Sequence, residues 1–156
     1  MKLKSVVFFA AIFFIFFITI LVGFNNVELP FGTRIISFES DSMVPTIFPG
    51  SLIIIHKEAW YEKGDIITFW SKVKEKEILV THRINRIGGN VYVTKGDSNY
   101  YQDYTLVVPR LIDGRVVMII PYLGFILEFF RSKIGLTLFM IPVVFVIYKE
   151  IKTIKN

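Results

Sequence analysis

Nineteen consecutive residues, Val6 to Phe24, carry no charge, and seven of them are phenylalanine. A run of that kind has no place on a soluble surface. As a helix it rises about 28 Å at ~1.5 Å per residue, close to the hydrocarbon thickness of a bilayer. The rival reading is a cleaved secretory leader. Its apolar stretch would be shorter, roughly 7–15 residues, and would end in small residues. Here the run ends in Leu21-Val22-Gly23-Phe24-Asn25, a poor cleavage site, so a retained anchor is expected. Lys2 and Lys4 precede it, which keeps the N-terminus in the cytoplasm and puts the chain after Phe24 outside.

A second apolar run, Ile134 to Tyr148, has 15 residues and would rise about 22 Å as a helix at ~1.5 Å per residue. That is short for a span. Lys149 and Lys152 can snorkel, and Pro142 is tolerable inside a membrane helix. A buried or amphipathic C-terminal helix is the alternative. The expected layout is a cytoplasmic tail at 1–5, a transmembrane helix at 6–24 and an extracytoplasmic domain at 25–130. A second transmembrane helix at 131–151 and a cytoplasmic tail at 152–156 follow. The mean hydropathy of +0.56 fits this division.

The net charge of +5 raises the question of nucleic acid. Its distribution answers it. The excess lies beside the apolar runs, whereas residues 25–130 hold 11 Lys/Arg against 12 Asp/Glu. No basic patch is expected on the folded part, so a nucleic-acid partner is set aside. There are no cysteines, which removes disulfides, thiolate metal sites and a cysteine nucleophile. No cofactor or metal motif is present, and none is expected.

Residues 25–130 read as mainly β. Leu52-Ile53-Ile54-Ile55 is a β-branched strand, and Ile66 to Trp70 is another, entered through Lys63-Gly64-Asp65. Ile78 to Ile87, then Gly88-Gly89-Asn90, then Val91 to Thr94 reads as a hairpin, and Arg115 to Ile120 as a further strand. Short strands between glycine turns suggest a small, coiled, barrel-like domain. The charged stretch Lys72 to Glu77 reads as a solvated loop tip.

Several residues are candidates for chemistry. Pro45 keeps Val44 extended, so the segment after Ser42 is irregular and can present a hydroxyl. Most serines beside a proline only form turns. A serine also needs a base to act as a nucleophile at neutral pH. The chain has two histidines, His56 and His82, and His82 stands on a strand between Val80 and Ile84. The lysines at 72–76 look solvated and poor as bases, while Lys95 stays open. A histidine base wants a carboxylate, and Asp97 and Asp103 follow in Gly96-Asp97-Ser98-Asn99-Tyr100-Tyr101-Gln102-Asp103. The same segment is equally an ordinary turn with both acids in water.

Taken together, Ser40-x-Ser42-Met43-x-Pro45-Thr46, Gly64-Asp65-Ile66, Thr81-His82-Arg83-Ile84, Lys95-Gly96-Asp97-x-Asn99-x-x-x-Asp103 and Gly114-Arg115-Val116 through Gly124 occur in one order. This set resembles the type I signal peptidases, and specifically their archaeal and endoplasmic-reticulum branch, over roughly residues 36–126. The bacterial branch has a lysine where this chain has His82. The resemblance implies a membrane-bound serine endopeptidase that removes signal peptides at the outer membrane face. It implies Ser42 as nucleophile, His82 as general base, Asp103 as third member and Asp97 as a supporting or alternative acid. The Ser40 hydroxyl and the Ser42 amide would stabilise the oxyanion. Met43 and strand residues are plausible walls of shallow subsites. The implied partners are signal peptides of preproteins, the lipid bilayer and, as a further candidate, the protein translocation machinery. The implied location is the cell membrane, or the endoplasmic-reticulum membrane in a eukaryote. Two other readings stay open: an inactive membrane-anchored binding module, and a related serine peptidase acting on other membrane-proximal precursors.

Overall fold

The structure, a computed structural model, describes residues 13, 14, 16, 27–73 and 75–155. The expected first span therefore lies outside the described residues, apart from Phe13, Phe14 and Phe16, which are helical. The chain divides into a β unit, Asn25–Gly124, and a second unit that includes Phe125–Asn156.

Among the described residues the β unit has eight strands: β1 (Val27–Leu29), β2 (Thr33–Phe38), β3 (Ser51–His56), β4 (Ile66–Val73), β5 (Lys76–Gly88), β6 (Val91–Lys95), β7 (Leu106–Val107) and β8 (Ile112–Ile120). They form one sheet in the order β1-β2-β3-β8-β4-β5-β6-β7, with every neighbouring pair antiparallel. The five strands legible in the sequence, β3, β4, β5, β6 and β8, are present. The sheet has two edges, β1 and β7, so the barrel-like expectation reduces to a single antiparallel sheet with register shifts in β3, β4 and β5.

Strand alternation sends successive side chains to opposite faces. Here both faces are apolar, and two cores result. One gathers Ile36, Phe38, Met43, Ile47, Ile53 and Ile55, with Ile66 and Leu79 against it. The other gathers Tyr61, Ile67, Phe69, Ile84, Val107 and Ile112, with Val80 against it. Strands β4 and β5 thus feed one core with one face and the second core with the other. Met43 is fully buried in the first core. It is not a subsite wall, as the sequence suggested; it anchors the loop that follows β2.

The charged stretch at 72–77 is mostly strand. Lys72 pairs with Glu77 and Val73 with Lys76 in the β4–β5 ladder, an opposite-charge cross-strand pair that a solvated hairpin end favours.

After the β unit's last strand come two helices, α1 (Leu123–Arg131) and α2 (Lys133–Lys155). The apolar run 134–148 lies inside α2, which continues as helix through the expected C-terminal tail to Lys155. Among the described residues no helix is long and apolar enough to cross a membrane.

Candidate active site

Ser42 sits in the turn that links β2 to β3. Two backbone bonds shape it, from Val44 N to Asp41 O at 3.1 Å and from Ile47 N to Met43 O at 2.9 Å. Buried Met43 and Ile47 pin the turn from below, while Ser40 and Ser42 stay on the open side. The Val44–Pro45 peptide is cis.

His82 lies on β5 and is buried. Its Nε2 is 3.1 Å from Ser42 Oγ, and its Nδ1 is 2.6 Å from Asp103 Oδ2. A carboxylate can only accept, so Nδ1 carries the proton and Nε2 is free to accept from the serine hydroxyl. Asp103 Oδ2 also accepts from Thr94 Oγ1 at 2.6 Å, and the Asp103 amide donates to Thr94 O at 2.8 Å. The end of β6 therefore fixes the acid. Burial alone would raise the Asp103 pKa; the hydrogen bonds from His82 and Thr94 outweigh it and hold the carboxyl below its ordinary value.

Ser40 completes the chain at the other end. Its hydroxyl donates to Ser42 Oγ at 3.1 Å, and it accepts from the Ser42 amide at the same distance. The bonds run one way, from Ser40 to Ser42 to His82 to Asp103.

Asp97 takes a different partner. Arg83 donates to it twice, from Nε at 2.9 Å and Nη2 at 2.6 Å, and Thr46 Oγ1 donates at 2.5 Å. The paired hydrogen bonds from Arg83 are the main cause of its lowered pKa. His82 and Arg83 are adjacent on a strand and point to opposite faces, so each meets its own acid. Asp97 is not an alternative partner for the imidazole; it clamps β5 to the Ser42 turn through Thr46. Lys95 faces Arg83 across the β5–β6 ladder. His56 bonds Thr33 Oγ1 through Nδ1 at 3.0 Å, at the opposite end of β2 and β3 from the Ser42 turn.

A second contact seats the turn. Ser98 N donates to Ser42 O, and Ser98 Oγ donates to Asp41 O, both at 3.0 Å. Gly96 lies so close that a Cβ there would stand 2.6 Å from Ser42 O and 2.7 Å from Asn99 Nδ2. Thr94, Gly96 and Ser98 were given no separate role by sequence reasoning. Gly96 was visible only as part of its box, because a close approach between distant segments has no local signature.

A groove of about 590 Å³ opens beside Ser40 and Ser42, lined among others by Ile36, Phe38, Trp70 and Leu79. Along it β5 is half-paired: its ladder with β4 covers Lys76 to Arg83, while its ladder with β6 begins only at Arg83. Residues 76–82 therefore have no β6 partner on that side.

A hydroxyl, an imidazole and a carboxylate bonded in that order make a serine-peptidase-type centre. The chain belongs to the Peptidase S24-like family, whose profile matches residues 22–116, more than half of the chain and all five residues named for the site. The family supports a serine peptidase fold. No curated protein matches the chain.

Proposed function

We propose that this protein is a membrane-bound serine endopeptidase that removes N-terminal signal peptides from secreted and membrane preproteins. The observation that carries the chemistry is the one-way relay from Ser42 through His82 to Asp103. As Ser42 Oγ attacks the scissile carbonyl carbon, its proton passes to His82 Nε2. Asp103 stabilises the imidazolium through Nδ1. The oxyanion takes hydrogen bonds from the Ser42 amide and the Ser40 hydroxyl once these turn from each other. Such donors contribute about 3 kcal/mol each in the transition state. Collapse breaks the C–N bond, His82 gives its proton to the leaving amine, and water repeats the sequence on the acyl-enzyme.

Three features support signal peptides as the substrate. The ordered boxes resemble those of the archaeal and endoplasmic-reticulum signal peptidases. The groove beside Ser42 combines an apolar wall of Ile36, Phe38, Trp70 and Leu79 with Arg34 and Glu39 and flanks the part of β5 that lacks a β6 partner, so an extended peptide can pair there and place alternate side chains in the groove. Both ends of the β unit, Val27 and Gly124, also lie toward its Ser42 end. β1 runs antiparallel to β2 with Val27 opposite Ile35, so Val27 is the end of β1 nearer Phe38. At the other end, Gly124 is packed against Gly50 O and Ser37 Oγ. Apolar runs flank both ends in the sequence. Anchoring them in one bilayer holds the nucleophile at the outer surface, where a signal peptide presents its cleavage point. Sharing the membrane with the substrate also raises its effective concentration.

The test is incubation of the full-length protein in lipid with a preprotein, followed by mass determination of the new N-terminus. Cleavage after small residues at the end of the apolar core supports the proposal. Cleavage only at other membrane-proximal sites assigns a different precursor, and no cleavage favours a binding module.

A further inference from the structure

The catalytic imidazole stands between two cavities. One is the groove beside Ser42. The other, about 570 Å³, is lined by Val80, His82, Asp103, Tyr100, Tyr101 and Tyr104 among others. We propose that this second cavity receives the departing chain, the first residues of the mature protein. The proposal rests on the peptidase reading above.

Chemistry sets the direction. The amine that leaves must take its proton from His82 Nε2, so it lies within hydrogen-bond reach of that nitrogen. The acyl half stays on Ser42. The chain beyond the scissile bond therefore runs out past His82. It cannot continue alongside β5, because β6 pairs with β5 from Arg83 onward. It must turn out of the sheet. On the face carrying Arg83 stands the Arg83–Asp97–Thr46 cluster, and the cavity of about 230 Å³ that Arg83 and Asp97 line does not have His82 in its wall. On the face carrying His82, with Phe69 opposite Val80 in register, lies the second cavity.

The lining fits a polypeptide of variable sequence. Tyr100, Tyr101 and Tyr104 are 95%, 80% and 100% exposed, an unusual density of unpacked rings in one short segment. Tyrosine offers large amphipathic contact at low entropic cost and tolerates varied partners. Among the described residues that line it, Asp103 alone carries a charge, and it is already engaged by His82 and Thr94. A single carboxylate, already bonded, sets no pattern of charge along the cavity, as suits mature sequences that share no consensus.

The test uses two substrates with the same signal peptide. One continues for several mature residues; the other ends in a single reporter amine joined by an amide. For Tyr101→Ala/Tyr104→Ala, kcat/KM on the long substrate should fall roughly tenfold, the scale of losing an interface anchor. On the short one it should fall less than about twofold. The Tyr→Phe pair should stay near wild type on both. Unchanged melting temperatures will show that the exposed rings do not support the fold. Equal losses on the two substrates, or no loss on either, overturn this inference while leaving the peptidase reading intact. A wild type that cleaves neither substrate overturns both.

Discussion

Asp103 meets His82 through a single oxygen, Oδ2, at 2.6 Å, and Thr94 donates to that same oxygen. The carboxylate is held by β6 before any substrate arrives, and its charge fixes which imidazole nitrogen faces Ser42. Asp103→Asn can place an amide N–H against Nδ1 and drive the proton to Nε2, the wrong tautomer for a base. We expect kcat to fall by about two to four orders of magnitude with little change in KM. Steady-state kinetics on a preprotein will check this; a loss under about tenfold would assign the acid's role elsewhere.

A lysine at position 82 should not act as a base. The Asp103 carboxylate beside it would favour the charged ammonium, which has no lone pair to accept the serine proton. His82→Lys is expected to be inactive at neutral pH although it carries the bacterial type of base. Turnover comparable to wild type would show that the imidazole geometry is dispensable.

Gly96→Ala places a methyl 2.6 Å from Ser42 O. The neighbour is backbone and must move with its residue. A displacement approaching 1 Å costs about a hundredfold in rate. We expect at least a tenfold loss of kcat, ~1.4 kcal/mol of barrier, with the protein still folded. Full activity in this variant would mean that the 96–99 turn does not seat the nucleophile.

The Arg83–Asp97 pair should appear in the acid limb of stability. Asp97 is held below its ordinary carboxylate value of 3.8, chiefly by hydrogen bonds from Arg83. Its stabilising contribution is complete above that value and disappears as pH falls through the lower folded value. Asp97→Asn should therefore lower the melting temperature at pH 7, with the difference from wild type shrinking toward pH 2. A gap that stays constant over that range would mean the ionised form contributes nothing.

Much of this arrangement was readable in the residues. β3, β4, the β5–β6 hairpin and β8 announce themselves through β-branched runs and glycine turns. β1 and β7, with three and two residues, are too short to show a period and exist only because a neighbour pairs with them. β2 was missed for another reason: Thr33-Arg34 opens it with polar residues, and Arg34 is paired with Asp113, distant in sequence. Ser42, His82 and Asp103 were named from motif order, with Asp97 kept beside Asp103 as a supporting or alternative acid. Strand alternation at His82 and Arg83 is the signal that separates them, and it acts only once β5 and β6 are in register. Met43 illustrates the opposite failure. Beside Ser42 it looked like substrate contact, yet its side chain turns inward and holds the loop.

The most direct test of the account is the processing of a preprotein by full-length wild type, Ser42→Ala and His82→Ala, read as the mass of the released mature chain. All three should melt cooperatively, with wild type releasing the mature chain and both variants falling to background. Processing by Ser42→Ala at a rate near wild type would contradict the assignment of that hydroxyl as the nucleophile.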